Sequence, residues 1–356
     1  MTQGRIAGDV EMKILPYRPF CFLGGSVLFL VFLFFIPGCG GDAAADPFFG
    51  FALDGYPIQR ERLDELENKT GIRPSMIVFF MQWPPSGSLA AAAFPRETID
   101  AIQGHGAIPC LTWEPMYRVG EEEVAVDHQD ILNGRYDRYL EIFAEGVKET
   151  GRPIIIRFAH EMNLERYHWG TPKGEYGPGS PEIYKRMFRY VVEFFREKGA
   201  GNALFAFSPN AESIPGPSTG TGHDWNTISS YYPGDRYVDI LGIDGYNWGT
   251  TQKKETHGWE SSWKSFGEIF KPALGELRAL SREKPVVIFE TASVANGGDR
   301  REWIRDALDM ARSWGIAGIN WFQVEKENDW RASAQDLSPV GSITIHPNPL
   351  MKVPDR

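Results

Sequence analysis

The stretch Pro153-Ile-Ile-Ile-Arg-Phe-Ala-His-Glu-Met-Asn163 opens as an apolar run and ends in polar, ionisable residues. An apolar run without alternation reads as a strand covered on both faces, as in a parallel sheet flanked by helices. Seven more runs share that character: residues 48–53 (FFGFAL), 76–81 (MIVFFM), 107–113 (AIPCLTW), 203–207 (ALFAF), 238–243 (VDILGI), 285–289 (PVVIF) and 316–322 (IAGINWF). With 153–159 (PIIIRFA) they make eight strands. Amphipathic helical patterns separate many of them, at 60–69, 136–149, 181–198, 263–280 and 299–314. Pro181 suits the first turn of its helix, with Ser180 as N-cap. Eight strand-and-crossover units in one chain specify the α/β class and a single (β/α)8 TIM barrel. An open doubly wound sheet would carry a glycine-rich phosphate turn after its first strand, and Phe51-Ala-Leu-Asp-Gly-Tyr-Pro57 is not one. In a barrel, chemistry collects at the C-terminal ends of the strands, so the active site is expected at the ends of strands four and seven. The longest loops follow strands three to six, at 114–130, 161–179, 209–232 and 245–261.

The 356-residue chain has 47 acidic against 37 basic residues, a net charge of −10, which argues against a phosphate backbone as partner. Aromatic residues make up 13%, with 11 Trp, 13 Tyr and 23 Phe; the long loops hold many of them, so a substantial part should line one cleft. Residues 20–36 form the one long apolar run, preceded by Arg5, Lys13 and Arg18 and followed by Ile36-Pro-Gly-Cys39. That end resembles a bacterial lipoprotein box, with Pro37 a departure from the usual pattern. The resemblance implies export, cleavage before Cys39 and lipidation of Cys39, which would anchor the protein to a membrane. An uncleaved signal anchor is the alternative and also exports the barrel. The expected organisation is a lipoprotein signal peptide at 1–38, a short linker at 39–46, a catalytic barrel at 47–335 and a tail at 336–356. Cys21 and Cys39 are then accounted for, and Cys110 is left as a small buried hydrophobe with no disulfide partner.

Glu161 stands at the end of strand four, and Glu290, in Val287-Ile-Phe-Glu-Thr-Ala292, at the end of strand seven. Carboxyl groups on opposite sides of a barrel mouth are what glycoside hydrolysis requires. One stays protonated to donate to the leaving oxygen. The other is ionised, to attack the anomeric carbon or to activate water. A separation of about 5–5.5 Å gives a retaining reaction, about 6.5–9.5 Å an inverting one.

Arg157 with His160-Glu161-Met162-Asn163 at one strand end, and Glu290-Thr-Ala292 at another, resemble glycoside hydrolase family 26. Residues 231–249 (YYPGDRYVDILGIDGYNWG) and 321–331 (WFQVEKENDWR) extend the likeness, which covers nearly all of residues 48–331. The resemblance implies Glu161 as acid/base and Glu290 as nucleophile of a retaining, endo-acting double displacement. It implies His160 and Asn163 around the distorted sugar, and Tyr246, just beyond strand six, as the hydrogen-bond partner of the nucleophile. Trp321 would be the sugar-stacking floor, and Arg157 would hold the carboxylates in place. Asp244 reads either as a subsite residue or as a buried structural aspartate. Tyr167, Trp169 and Trp248 would supply aromatic platforms. Many family mannanases continue His-Glu-Met-Asn-Gly into a Trp-rich stretch. Here the chain reads Leu164-Glu-Arg-Tyr-His-Trp-Gly170, which leaves the catalytic pair intact and bears on the substrate. The polysaccharide expected first is β-1,4-mannan, with mixed-linkage β-1,3-1,4-glucan and β-1,3-xylan as alternatives. No cofactor and no nucleic acid are expected, and the chain is expected to act as a monomer.

Other readings stand beside this one. His160-Glu161 is not a zinc-protease motif, because position 164 is Leu where a second His is needed. No Cys or His cluster has metal-ligand spacing. A non-catalytic glycan-binding lipoprotein would use Trp83, Trp113, Trp169, Trp248, Trp321 and Trp330, but would be expected to lack Glu161 or Glu290. A further reading keeps the enzyme and directs it at a self-made exopolysaccharide during export.

Overall fold

The computed structural model describes residues 46–172, 174–217, 222–342 and 350. The signal at 1–38 and the lipidation site Cys39 lie outside the described residues. Eight parallel strands close into a barrel: β1 (Phe48–Leu53), β2 (Met76–Gln82), β3 (Ile108–Glu114), β4 (Ile154–Phe158), β5 (Ala203–Phe207), β6 (Ile240–Asn247), β7 (Val286–Ser293) and β8 (Gly318–Phe322). Neighbours in sequence are neighbours in the sheet, and β8 closes on β1 with Ile319 opposite Phe49. The crossovers carry α1 (Arg60–Thr70), α2 (Arg96–His105), α3 (Asp137–Thr150), α4 (Ser180–Glu197), α5 (Phe266–Leu280) and α6 (Arg300–Ser313).

The crossover from β5 to β6, read as a long loop at 209–232, is built, among its described residues, around the 3-10 turns Ile228–Tyr231 and Asp235–Tyr237. One expectation needs correction. Ser180 is the first residue of α4 instead of its cap, and its Oγ accepts from the Gly177 amide (2.9 Å). The other helices obey local rules. The first turn of α5 is closed by a capping box, with Glu268 N donating to Ser265 Oγ (3.2 Å) and Ser265 N donating to the Glu268 carboxylate (2.8 Å). The side chain of Asp299 caps α6 through the Glu302 amide (3.0 Å).

Strand alternation sorts side chains between the barrel interior and the helix layer. On β5, Phe205 and Phe207 pack outward on Phe188, Phe195 and Tyr184 of α4. The next residue after Phe207, Ser208, then faces inward. On β4, Phe158 meets Phe188 of α4 and Arg157 faces inward. The apolar runs end at 243 and 289, yet β6 and β7 each continue four residues further, because their polar residues pair with one another. Asp244 lies opposite Glu290, Tyr246 opposite Ala292 and Asn247 opposite Ser293. Asp244, Tyr246 and Glu290 therefore sit inside strands, not beyond their ends.

A β-bulge in β7 sets the direction of Glu290. Ile288 is opposite Ile243 on one side and Ile319 on the other, while Glu290 is opposite Asp244 and Thr291 opposite Trp321. Between these points β7 holds one residue more than either neighbour, and that residue is Phe289. A bulge re-aims the side chains beyond it, so Phe289 and Glu290 both reach the barrel interior. Room for Phe289 comes from Gly242, where a Cβ would lie 2.6 Å from the Phe289 ring. Cys110 is buried and free, as its setting in an apolar strand suggests.

Candidate active site

A guanidinium inside a barrel must have its charge and its N–H groups satisfied. Arg157 is fully buried and meets that demand with groups from four other strands or strand ends. Its Nε donates to Ser208 Oγ just past β5 (3.0 Å), and Nη1 to Thr112 Oγ1 of β3 (3.0 Å). Nη1 also donates to Glu290 Oε1 of β7 (2.5 Å), and Nη2 to Asp244 Oδ2 of β6. Burial works against the charge, but Asp244 and Glu290 more than offset it and raise the Arg157 pKa.

The chain leaves β4 under strain. Ala159 (φ 50°) and Glu161 (φ 49°) are the non-glycine residues at positive φ among those described. Each costs roughly 1–2 kcal/mol relative to a right-handed residue, and such strain collects at functional sites. The turn is fixed by Glu161 N donating to Ser208 O (2.8 Å). The Glu161 carboxylate accepts from Asn210 Nδ2 (2.6 Å). Asn210 is itself held by Asn163, which accepts from the Asn210 amide (2.8 Å) and donates to its carbonyl (2.9 Å). Asn163 is wholly buried, so it shapes the site by fixing Asn210 and does not line the sugar subsite directly. Burial above all, and then the charge of Glu290, push the Glu161 carboxyl up to about 7, against the opposing pull of Asn210 and Arg157.

Glu290 is in a different setting. Both of its oxygens accept hydrogen bonds, Oε1 from Arg157 and Oε2 from the Tyr246 hydroxyl (2.6 Å). That is the pattern of an ionised, oriented carboxylate. Asp244 shares the same guanidinium and also accepts from Ser208 Oγ (3.1 Å), with no exposed surface. Its placement is that of the buried structural aspartate.

Aromatic rings wall the mouth on two sides. His160 is buried, and burial, followed by the charge of Arg157, holds it well below the ordinary imidazole range. The neutral ring packs on Tyr167 (4.8 Å) and Phe80 (6.1 Å), and its Nδ1 has no hydrogen-bond partner among the described residues. Tyr167 stacks on Trp169 (5.0 Å, 8° between planes), whose Nε1 donates to His160 O (2.6 Å). Trp169 is buried, so it backs Tyr167 and is not itself a platform. On the other side Tyr246 packs on Trp330 (5.1 Å), Phe322 (5.6 Å) and Trp248 (6.4 Å). Trp248 continues to the exposed Trp259 (5.5 Å).

Trp321 is not the floor of this site. Alternation on β8 turns it outward against Trp303, Ile304, Ala307 and Leu308 of α6, and its Nε1 donates to Trp330 O (2.9 Å). The inward neighbour Phe322 stands in that place, between Phe80 (6.3 Å) and Tyr246. Trp83 and Trp113 are buried among rings of the helix layer, far from a binding role. Sequence reasoning missed Asn210, Phe322 and the buried Glu114 at the end of β3. The first is signalled by Ser208-Pro-Asn210 at a strand end, the second by strand parity, the third by a carboxylate closing an apolar run. Among the described residues no group of three or more His, Cys, Asp or Glu side chains could hold a metal ion.

A closed (β/α)8 barrel with a protonatable carboxyl at β4 and a clamped carboxylate at β7 has the architecture of the two-carboxylate barrels. The sequence profile of Glycosyl hydrolase family 26 matches residues 98–276, and the chain belongs to that family. It is 34% identical over 282 residues to endoglucanase H of Acetivibrio thermocellus, covering 79% of this chain and 28% of that protein. It is 30% identical over 129 residues to a mannan endo-1,4-beta-mannosidase of Bacillus subtilis, covering 34% of this chain and 32% of the other. The matches thus span under a third of either relative's length. The fold is similar to that of a mannanase from Bacillus subtilis, with a TM-score of 0.61 at 17% identity over 88% of this chain and 90% of that one.

Proposed function

We propose that the protein is a retaining, endo-acting glycoside hydrolase of β-linked polysaccharide, with β-1,4-mannan the first expected substrate. The observation that carries this reading is the asymmetry of the two carboxyl groups. Glu161 is pushed up to about 7 and can donate a proton at neutral pH, while Glu290 accepts hydrogen bonds at both oxygens. In the proposed reaction Glu161 protonates the glycosidic oxygen as Glu290 attacks the anomeric carbon, and the leaving sugar departs with that proton. Glu161, now ionised, takes a proton from water, which attacks the same carbon and frees Glu290 with the configuration retained. Arg157 and Tyr246 orient the attacking carboxylate, and the neutral His160 ring backs Tyr167 at the mouth.

Mannan is supported by family membership and by the names of several relatives. A second reading, a β-glucan, is supported by endoglucanase H, whose match covers 79% of this chain. The non-catalytic alternative is disfavoured because both carboxyl groups are present and differently held. The leader at 1–38 and Cys39 would place this activity outside the cytoplasm on a lipid anchor. The deciding experiment is a panel of β-1,4-mannan, mixed-linkage β-1,3-1,4-glucan and β-1,3-xylan with product sizing and anomeric analysis. Early release of a spread of oligosaccharides with retained configuration is expected from one of them. Inversion would remove Glu290 as nucleophile, and no release from any would overturn the reading.

A further inference from the structure

Glu114 closes β3, and the catalytic steps above leave it unused. Thr112 reaches Arg157 on the inner face, and Trp113 turns outward to stack on Phe143 (4.6 Å), so alternation returns Glu114 to the inner face at the mouth. Its backbone is fixed there by register with Gln82 and by the Trp83 amide donating to its carbonyl (2.9 Å). Only 7% of the residue is exposed, yet no hydrogen bond or ion pair links its carboxyl to a described residue. The charges that act on it are, largest first, those of Glu290, Glu123, Arg157 and Lys326, and together with Glu161 and Glu290 it acts on the Tyr167 hydroxyl. Glu114 therefore shares one space with the catalytic pair and the Tyr167 platform.

A buried carboxyl without partners lowers stability. Such a group calls for an explanation, and a ligand that supplies the missing partner is one. We propose that Glu114 is a substrate-binding residue whose carboxyl hydrogen-bonds the hydroxyls of a neutral pyranose unit adjoining the cleaved bond. This rests on the proposed glycosidase function and deepens it. The sugar is neutral because Glu114, Glu161, Asp244 and Glu290 outnumber Arg157, the single buried cation among the described residues, even with the more exposed Lys326 acting on Glu114 and Glu161. A uronate would add a further negative charge in a space of low dielectric. A hydroxyl pair adds none and both donates and accepts. Burial, with Glu290 next, pushes the Glu114 carboxyl up to about 7, so near neutral pH it too can donate or accept.

The test uses the full-length chain with Glu290→Ala as a non-cleaving background. Binding of β-1,4-manno- and mixed-linkage β-1,3-1,4-gluco-oligosaccharides is measured by calorimetry with and without Glu114→Ala, alongside thermal unfolding. Adding Glu114→Ala is expected to weaken the bound oligosaccharide by about 10-fold or more, while the midpoint of unfolding holds or rises. Glu114→Gln, which keeps the hydrogen-bonding shape, is expected to recover most of the affinity. An affinity unchanged within twofold in Glu114→Ala overturns the role of Glu114 and leaves the proposed function standing. A lowered unfolding midpoint with unchanged affinity overturns it in favour of a structural role. A parent that neither binds nor cleaves any of these glycans overturns both.

Discussion

The molecule holds two aromatic assemblies of similar make-up and opposite character. The outer one packs Trp83, Trp113, Tyr136, Tyr139, Phe143 and Phe195 between the barrel wall and the helices, with Trp113 stacked on Phe143 and its Nε1 donating to the Tyr139 hydroxyl (2.9 Å). The inner one sets Tyr167, Tyr246, Trp248, Phe322 and Trp330 around Glu114, Glu161 and Glu290. In the outer assembly the one buried indole N–H without a partner is that of Trp83. In the inner one His160 Nδ1 and Asp244 Oδ1 lack partners, two residues are at strained φ, and carboxyls are crowded around one arginine. Ring content does not distinguish them. What distinguishes the site from the core is ionisable groups and strained backbone crowded where burial makes both expensive.

The largest effect expected on the inner side is from Glu290→Ala, with kcat on the accepted polysaccharide falling by roughly 10^4-fold or more, as removal of a nucleophile does. Folding should be preserved, because Arg157 keeps Asp244. Retained activity would break the comparison outright. Glu161→Gln should cost about 10²–10⁴-fold, the usual contribution of a general acid–base group. It also tests the electrostatics. The wild type needs Glu161 protonated, so kcat/KM should fall as pH rises through about 7, and the residual activity of Glu161→Gln should lack that limb.

On the outer side the ranking reverses. Trp113→Ala should destabilise by about 3–5 kcal/mol in chemical denaturation, the usual range for deleting a buried aromatic. Oligosaccharide affinity of the folded fraction should not change. A variant that folds well but binds poorly would move Trp113 into the site.

The two assemblies were not equally legible in the sequence. The barrel could be read from eight apolar runs, because a strand covered on both faces must be apolar almost throughout. Glu161 and Glu290 could be read because each interrupts such a run. The direction of Trp321 could not, since strand parity depends on where alternation starts, and one residue of phase sends it to α6 instead of the cleft. Glu290 is subject to the same ambiguity, which the bulge at Phe289 resolves only in three dimensions. Asn163 was read and Asn210 missed for another reason: which amide holds the carboxylate and which holds the other amide is tertiary information.

Glu114 gives the comparison a pH axis. Its carboxyl is raised from 4.5 to about 7 in the folded chain, chiefly by burial. The folded state then binds more protons than the unfolded one between these values, so this group's contribution to stability falls as pH rises through that window. Glu114→Gln should be close to neutral below about 4.5 and should stabilise above about 7 by up to about 3 kcal/mol. Unfolding midpoints of both proteins across pH 4–8 measure this. Parallel curves would show that the group is satisfied in the folded state.

The smallest effect is the sharpest, because Tyr246 belongs to both kinds of assembly at once. Its ring packs on Trp330 and Phe322 as a core residue would, and its hydroxyl donates to Glu290 Oε2 (2.6 Å) as a site residue would. Tyr246→Phe keeps the first and removes the second. The hydrogen bond to a charged group is worth about 1.5–3 kcal/mol, so kcat should fall by roughly 10- to 100-fold with little change in KM. The unfolding midpoint should stay nearly fixed, since the packing is intact and the carboxylate keeps Arg157. If stability and kcat fell together, the hydroxyl would be holding the wall in place and the two assemblies would not be separable at this residue. A fall in kcat alone draws the boundary between them through a single side chain, at the Tyr246 oxygen.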